Sequence, residues 1–327
     1  MTTLVLGLLL GLACHSEPGP KVGHKYRRND PEVQYARGRE ALTSEGITRI
    51  RWGITPFVSA TSVKSEWSPT LSLISSKLGM PIDTEVGDGY ADLEERLLSG
   101  QIDVAIMSPY AYVQAKKIAP GLQVFATHIS GGSETYGGYL VTRGDQSLDS
   151  VESLKKRRFA YVDPRSSSGW LFPASRLLDA GIHPVEDVQG HFYGSHAAVI
   201  EAVVNGQADV GATYDGALVQ GRGSIVGADS LRIIARTHRI PFDAYVVRAD
   251  FPPAARTALQ VAMSSISTRD AVGREALAPL LSMNGFMAIT DSHYKMVRTV
   301  DSEVRAAIEA SGTGLPSIIA PPPALDP

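Results

Sequence analysis

The chain has a single cysteine, Cys14, among its 327 residues. A lone thiol cannot form an internal disulfide, and there is no second cysteine for a paired zinc site. The eight histidines show no H-x-x-x-H spacing, so we expect no metal site and no cofactor. Long Lys/Arg runs are absent and the net charge is -3, which argues against nucleic acid as a partner.

Long apolar runs are also missing, apart from residues 4–13, and this run is too short to span a bilayer. It is typical of the hydrophobic part of a signal peptide. Cys14 follows directly, which resembles the bacterial lipoprotein signal, whose cysteine is lipidated and becomes the first mature residue. We therefore expect a periplasmic or otherwise extracytoplasmic protein, anchored to membrane lipid through Cys14. The alternative is an ordinary cleaved signal peptide with an incidental cysteine.

Apolar residues make up 43% of the chain, which predicts a globular protein. Strand-like and helix-like segments alternate from residue 49 to residue 310, a pattern that favours an α/β fold with mainly parallel strands. We expect crossings between two lobes near 140–143 and 244–248. The predicted division is a signal peptide (1–14), a flexible tether with a marginal helix over 31–43 (15–46), lobe one (47–141), lobe two (142–244), the completion of lobe one with C-terminal helices (245–312), and a disordered Pro-rich tail (313–327).

An internal repeat supports the two lobes. Residues 98–106 read LSGQIDVAI and residues 204–212 read VNGQADVGA. Four identities share one offset: Gly100, Gln101, Asp103 and Val104 recur as Gly206, Gln207, Asp209 and Val210. Each copy follows a helix-like run and precedes a strand and a polar cluster, so the clusters should face each other across a cleft. The alternative is a common helix-to-strand turn that occurs twice by chance.

Three predicted helix starts carry hydroxyl groups. They are Ser108-Pro109-Tyr110, Ser166-Ser167-Ser168 and Ser195-His196. Free N–H groups and the helix dipole favour anions at such positions, and hydroxyl donors suit a tetrahedral oxyanion. The alternative for each start is plain N-capping, and for His196 a structural histidine with satisfied hydrogen bonds.

The chain resembles the phosphate/phosphite/phosphonate substrate-binding proteins of bacterial ABC importers, from about Ile50 to Val300. The motifs that carry the resemblance include Gly100-x-x-Asp103, Ser166-Ser167-Ser168-Gly169-Trp170, Gly194-Ser195-His196 and Ile240-Pro241-x-Asp243. The resemblance implies the type II periplasmic-binding fold, with two α/β lobes joined by a two-strand hinge. It also implies that Ser166, Ser167 and His196 hold the phosphonate oxygens beside a tyrosine from lobe one.

The ligand's tail should meet an acid and aromatic walls. Asp215 is the first candidate to hold an amino group and Asp243 the second, while a helix-capping role is the alternative for Asp215. The complete set of candidate ligand-binding residues is Ser108, Tyr110, Tyr112, Tyr136, Ser166, Ser167, Ser168, Trp170, Ser195, His196, Tyr214, Asp215 and Asp243.

The resemblance implies a monomeric solute-binding lipoprotein. It would capture a phosphonate, a phosphite or a phosphate ester and deliver it to the permease of an ABC importer. One alternative is a ligand-sensing lipoprotein that docks to a membrane kinase. Another is a hydrolase that uses Ser167, His196 and an aspartate as a triad. The chain has no Gly-x-Ser-x-Gly elbow, so we predict a binding protein and no enzyme.

Overall fold

The computed structural model describes residues 30–56, 60–280 and 282–318. The predicted signal peptide, Cys14, residues 15–29 of the predicted tether and residues 319–327 of the predicted tail lie outside these ranges. Among the helices described, none has both the length and the apolar character that a membrane span requires.

Helices and strands alternate along the chain. The helices are α1 (Pro31–Ser44), α2 (Ala60–Leu78), α3 (Tyr90–Leu98), α4 (Pro109–Ile118), α5 (Phe172–Leu178), α6 (His196–Val204), α7 (Asp215–Ser224), α8 (Pro253–Ser264), α9 (Ala271–Leu277) and α10 (Lys295–Ser311). The strands are β1 (Ile50–Ile54), β2 (Ile82–Val86), β3 (Val104–Met107), β4 (Gln123–Ser130), β5 (Thr135–Arg143), β6 (Arg158–Tyr161), β7 (Gln189–Phe192), β8 (Val210–Tyr214), β9 (Leu231–Pro241), β10 (Ala244–Val247), β11 (Met283–Ala288) and β12 (Ser317–Ile318).

The strands form two six-stranded sheets, one in each lobe. Lobe one has the order β11-β4-β10-β3-β1-β2, and lobe two has the order β12-β7-β6-β8-β5-β9. In each sheet one interior strand pairs in parallel with both neighbours: β1 with β2 and β3, and β6 with β7 and β8. Each sheet also has one strand that is antiparallel to both neighbours. In lobe one β10 lies between β3 and β4, and in lobe two β5 lies between β8 and β9. The prediction of a two-lobed α/β fold is confirmed.

The chain crosses between the lobes twice. The first crossing lies at 131–134, ahead of the predicted 140–143, because the whole of β5 pairs within lobe two. Gly131 and Gly132 have φ values of 55° and 74°, which glycine adopts without strain and which turn the chain there. The return at Phe242–Asp243 lies next to the predicted position. The Phe242 N–H donates to the Glu134 carbonyl (3.2 Å), which joins the two crossings.

The predicted helix over 31–43 is present as Pro31–Ser44, but it is packed against lobe one and is not part of a flexible tether. Tyr35 and Leu42 are buried in lobe one, and a Cβ atom added at Gly38 would come within 2.4 Å of the Ala258 side chain on α8. These three positions share one helix face. The buried stripe is narrow, so the segment's sparse apolar composition concealed it.

The C-terminal segment also differs from the prediction. Ser317 and Ile318 pair with His191 and Phe192 of β7, so these two residues are strand and not disordered tail. Strand β11 was not predicted at all. It is an edge strand of lobe one and pairs with β4.

The repeat has the same structural role in both lobes. Asp103 accepts hydrogen bonds from the Arg51 N–H (2.9 Å) and guanidinium (2.7 Å), and Asp209 accepts the same pair from Arg158 (3.0 and 2.6 Å). The glycine of each copy has a positive φ, 74° and 71°. Each copy thus ends one helix and ties the next strand to its neighbour, so the repeat is a duplicated α/β unit.

Candidate ligand-binding site

A cavity of about 690 Å³ lies between the lobes, and residues of both lobes line it. Nine of the predicted site residues lie on its wall: Ser108, Tyr136, Ser166, Ser167, Ser168, His196, Tyr214, Asp215 and Asp243. They stand at helix starts, at strand ends and in the second crossing. The duplicated fold thus brings residues far apart in sequence to one place.

The serine triplet opens a π-helical turn, Ser167–Leu171, at the end of β6. The Ser166 Oγ accepts the Gly169 N–H (2.9 Å), as an N-cap does. A Cβ atom at Gly169 would come within 2.3 Å of the Val162 side chain, so the close approach requires glycine. All three serines are buried. The turn therefore holds three hydroxyl groups on the cavity wall.

Lobe one contacts this turn directly. The Tyr110 N–H donates to the Ser167 Oγ (3.0 Å), and the Ser108 Oγ donates to the Arg165 carbonyl (2.7 Å). Because the Ser167 oxygen accepts a hydrogen bond from lobe one, its own proton remains available as a donor. The two lobes are therefore in contact beside the predicted oxyanion residues.

His196 is the first residue of α6, and its Nδ1 lies 3.0 Å from the Thr213 Oγ1. Burial lowers the pKa of His196 to about 3, so the ring is neutral at neutral pH. With the Thr213 hydroxyl as donor to Nδ1, the ring proton resides on Nε2, which can then donate to a ligand. A Ser-His-Asp triad needs a carboxylate beside the Nδ1 of the histidine, but the group at this position is the Thr213 hydroxyl. The hydrolase alternative therefore lacks its geometry.

Asp243 is an unpaired acid among aromatic rings. Phe242 stacks on Tyr136 (centroids 5.2 Å apart), and Tyr136 packs edge-on against Tyr214 (5.6 Å). Among the described residues, none donates a hydrogen bond to the Asp243 carboxylate or forms an ion pair with it. Burial raises its pKa to about 7. Its charge also contributes, after burial itself, to raising the pKa of Tyr136 and Tyr214.

Asp215 lies on the same wall, but its carboxylate has partners. One oxygen accepts the Gly137 N–H (3.3 Å) and the other the Gly216 N–H (2.9 Å). Since Asp215 also begins α7, these contacts fit the capping alternative. Of the two acids named from sequence, Asp243, the second choice, is the one that has no partner among the described residues.

Four predicted residues do not line the cavity: Tyr110, Tyr112, Trp170 and Ser195. The Tyr110 hydroxyl donates to Asp301 (3.0 Å) and the Tyr112 hydroxyl to Asp291 (2.6 Å), so both point away from the cavity along α4. The Trp170 indole packs edge-on against two aromatic rings in the core of lobe two, and the Ser195 hydroxyl caps α6. Sequence position placed them near the site, but their side chains face other groups.

The tyrosine that lobe one contributes beside the serines is Tyr90, which the sequence reasoning missed. Burial raises its pKa, and a hydrogen bond with Ser166 works against that shift. Tyr90 begins α3 as His196 begins α6, and the two are 106 residues apart, the offset of the repeat. Applying that offset to His196 would have found it.

The charges on the cavity wall are mostly negative. Among its described residues the acids are Glu66, Asp215 and Asp243, and the one fixed cation is Arg239. The Arg239 guanidinium donates to the Thr135 Oγ1 (3.1 Å) and is therefore already engaged. In the described part of the chain, no group of three or more metal-ligating side chains lies close enough to hold an ion. The wall therefore offers neutral donors to an anion and, among its described residues, two carboxylates without a partner, Glu66 and Asp243, to a cation.

Residues 52–294 match the profile of a protein family described as the periplasmic phosphonate substrate-binding proteins of ABC transporters. A phosphate-import protein, PhnD, of Mycolicibacterium smegmatis is 27% identical over 189 residues, which cover 54% of this chain and 58% of that protein. The chain thus spans little more than half the length of this curated relative.

Two solved structures have a similar fold. One is a binding protein component of an ABC phosphonate transporter from Pseudomonas aeruginosa, with a TM-score of 0.73, 24% identity, and coverage of 81% of this chain and 89% of that one. The other is PhnD1 from Prochlorococcus marinus in complex with methylphosphonate, with a TM-score of 0.70, 18% identity, and coverage of 79% and 98%.

The unpaired Asp243 should lower the free energy of unfolding at neutral and alkaline pH, but not at acidic pH. The pKa of an aspartate in an unfolded chain is near 3.9, whereas burial raises the pKa of Asp243 to about 7. As the pH rises between these values the unfolded chain loses its proton first, so the native state becomes less stable relative to it. We expect Asp243→Asn to have the higher free energy of unfolding at pH 8 and the same value as the wild type at pH 4. Denaturant titrations at several pH values measure this. Asp215→Asn, which loses hydrogen bonds, should not raise the free energy of unfolding at pH 8. A difference in this free energy between Asp243→Asn and the wild type that is the same at all pH values would contradict the prediction.

Proposed function

The chain belongs to the family of periplasmic phosphonate-binding proteins of ABC transporters, and we propose that it captures a phosphonate-type oxyanion between its lobes and delivers it to the permease of an ABC importer. The cargo class comprises phosphonates, phosphite and phosphate esters. The family is one of substrate-binding proteins, in agreement with the prediction that the chain is not an enzyme.

The observation that carries the proposal is the group of hydroxyl and imidazole donors on one wall. Ser166, Ser167 and Ser168 are consecutive in one turn, and the neutral His196 begins the helix of the adjacent unit. An oxyanion bound by neutral donors needs no cationic side chain, because helix N-termini add further N–H groups and a favourable dipole. Tyr90 adds a donor from lobe one.

The size and charge of the cavity support a ligand with a cationic tail. A bare phosphonate group fills only a small part of about 690 Å³. An ammonium group next to Asp243 would pair with its free carboxylate. We therefore propose an aminoalkyl-phosphonate, a zwitterion whose two charges match the two kinds of group on the wall.

Removing one donor should weaken oxyanion binding strongly. Ser167→Ala or His196→Ala leaves a buried ligand oxygen without a partner, which costs about 1–3 kcal/mol, or roughly tenfold to hundredfold in affinity. Isothermal titration calorimetry with methylphosphonate and phosphate measures it. Ser195→Ala is the matched control: it removes the cap of α6, which lowers stability by about 1 kcal/mol, but should leave affinity close to the wild type. Wild-type affinity in both site variants would place the oxyanion elsewhere.

The tail should be recognised through Asp243. At pH 8 we expect an aminoalkyl-phosphonate to bind roughly tenfold to hundredfold tighter than the alkyl-phosphonate of equal length, since a charge-assisted hydrogen bond contributes about 1.5–3 kcal/mol. A bound ammonium favours the ionised carboxylate and lowers its pKa below about 7, so this preference should decrease as the pH falls below 7.

Calorimetry on both ligands between pH 5.5 and 8.5 tests this, and the alkyl ligand controls for ionisation of the phosphonate itself. Asp243→Asn should abolish the preference and its pH dependence while retaining alkyl-phosphonate binding. Equal affinities for the two ligands in the wild type would remove the ammonium from the proposal and favour a plain oxyanion such as phosphite or phosphate.

We also propose that Cys14 carries lipid and anchors the protein to a membrane. The support is the apolar run that ends at Ala13-Cys14. In a Gram-negative host the full-length protein should partition into the detergent phase of a Triton X-114 extraction, and Cys14→Ala should partition into the aqueous phase. More than one acyl chain is expected, because a single chain binds a membrane only marginally. Equal partitioning of the two proteins would contradict the lipid anchor.

A further inference from the structure

Arg165 joins the two lobes directly behind the serine turn. It immediately precedes Ser166 in lobe two, and its Nε donates to the Glu94 Oε2 on α3 of lobe one (2.6 Å). The Glu94 side chain is only 4% exposed, whereas that of Arg165 is 34% exposed. One partner of this interlobe ion pair is therefore a buried carboxylate.

The same stretch makes two further bonds to lobe one. The Arg165 carbonyl accepts the Ser108 hydroxyl (2.7 Å), and the Ser167 Oγ accepts the Tyr110 N–H (3.0 Å). Within lobe two, the Arg165 N–H donates to the Asp163 Oδ1 (2.7 Å). The turn that carries the candidate oxyanion donors is thus attached to α3 and to the start of α4 by three consecutive contacts.

Separation of the lobes along this seam would take the guanidinium away from Glu94. Arg165 is the one cationic partner of Glu94 within the described part of the chain. A carboxylate that loses such a partner must be rehydrated or remain unpaired, and either state is less favourable than the hydrogen-bonded pair. The partial exposure of Arg165 moderates the effect without changing its sign. The pair therefore favours the arrangement in which the lobes touch, whether or not a ligand is present.

We propose that the Glu94–Arg165 pair is an interlobe latch, which holds the oxyanion-binding turn against lobe one and raises the closed fraction of the ligand-free protein. Arg165 and Glu94 are positioning residues, since they act on the ligand through Ser166 and Ser167. Apparent affinity scales with the fraction of protein in the competent conformation, so the latch should raise affinity without touching the ligand. The effect on affinity rests on the proposed function, whereas the effect on lobe closure does not.

The test measures lobe separation in the ligand-free full chain. Nitroxide labels are attached at two exposed positions, Val272→Cys in lobe one and Val226→Cys in lobe two, in a Cys14→Ser background. Pulsed electron paramagnetic resonance then measures the distance between the labels. Glu94→Gln and Arg165→Gln should each add a population at longer distance and enlarge the radius of gyration in X-ray scattering. Glu95→Gln is the matched control, because it removes the same charge from an exposed position on the same helix and should change neither quantity.

Affinity for methylphosphonate should fall roughly tenfold in Glu94→Gln and in Arg165→Gln, as expected for the loss of one charge-assisted hydrogen bond. The double variant should bind methylphosphonate no more weakly than the single variant with the lower affinity, since both changes break the same bond. Unchanged distances in all latch variants, or a lowered melting temperature without any change in distance, would overturn the latch. If methylphosphonate fails to bind the wild type, the proposed function is at fault, and the distance measurement still decides on the latch.

Discussion

Each sheet depends on an antiparallel strand that the chain inserts at a crossing between the lobes. Strand β10 lies between β3 and β4 in lobe one, but it follows the whole of lobe two in sequence. Strand β5 begins directly after the first crossing and lies between β8 and β9. Lobe one therefore cannot complete its hydrogen-bonded ladder until lobe two has been traversed. This constraint fixes both crossings next to the interior strands of the sheets, and so places Phe242 and Asp243 in the cleft.

The cleft combines neutral anion donors with an acid that has no partner. The imidazole of His196 is held neutral by burial, and the three serines have little exposure. Asp243 raises the free energy of the native state because its half-buried charge has no compensating partner among the described residues. Such an arrangement is unfavourable for stability, and a ligand that supplies the missing cation would relieve it. The seam between Glu94 and Arg165 shows the opposite case, a buried acid that the other lobe already satisfies.

Much of the framework follows from local sequence patterns. The repeat and the alternation of strands and helices predict the two lobes, and the hydroxyl-bearing helix starts predict Ser166, Ser167 and His196 on the cavity wall. The same reasoning missed Tyr90 and wrongly directed two tyrosines of α4 into the cleft. Successive residues of a helix point about 100° apart, so nearness to a helix start does not decide which side chain faces the ligand. Sparse apolar residues likewise concealed the packed face of α1.

Local determinants in the sequence therefore decided most of the helices and strands, where they are capped, and that an α/β unit occurs twice, because each depends on residues within a few positions of one another. The edge strands β11 and β12 are exceptions, since they form by pairing with β4 and β7. Only the tertiary structure decided the first crossing, the choice of Asp243 over Asp215 as the unpaired acid, and the pairing of Glu94 with Arg165. Asp215 is satisfied by the Gly137 N–H of another strand, and Glu94 meets an arginine 71 residues away. Whether a buried acid finds a partner depends on how the two lobes pack together, and no local pattern in the sequence contains that information.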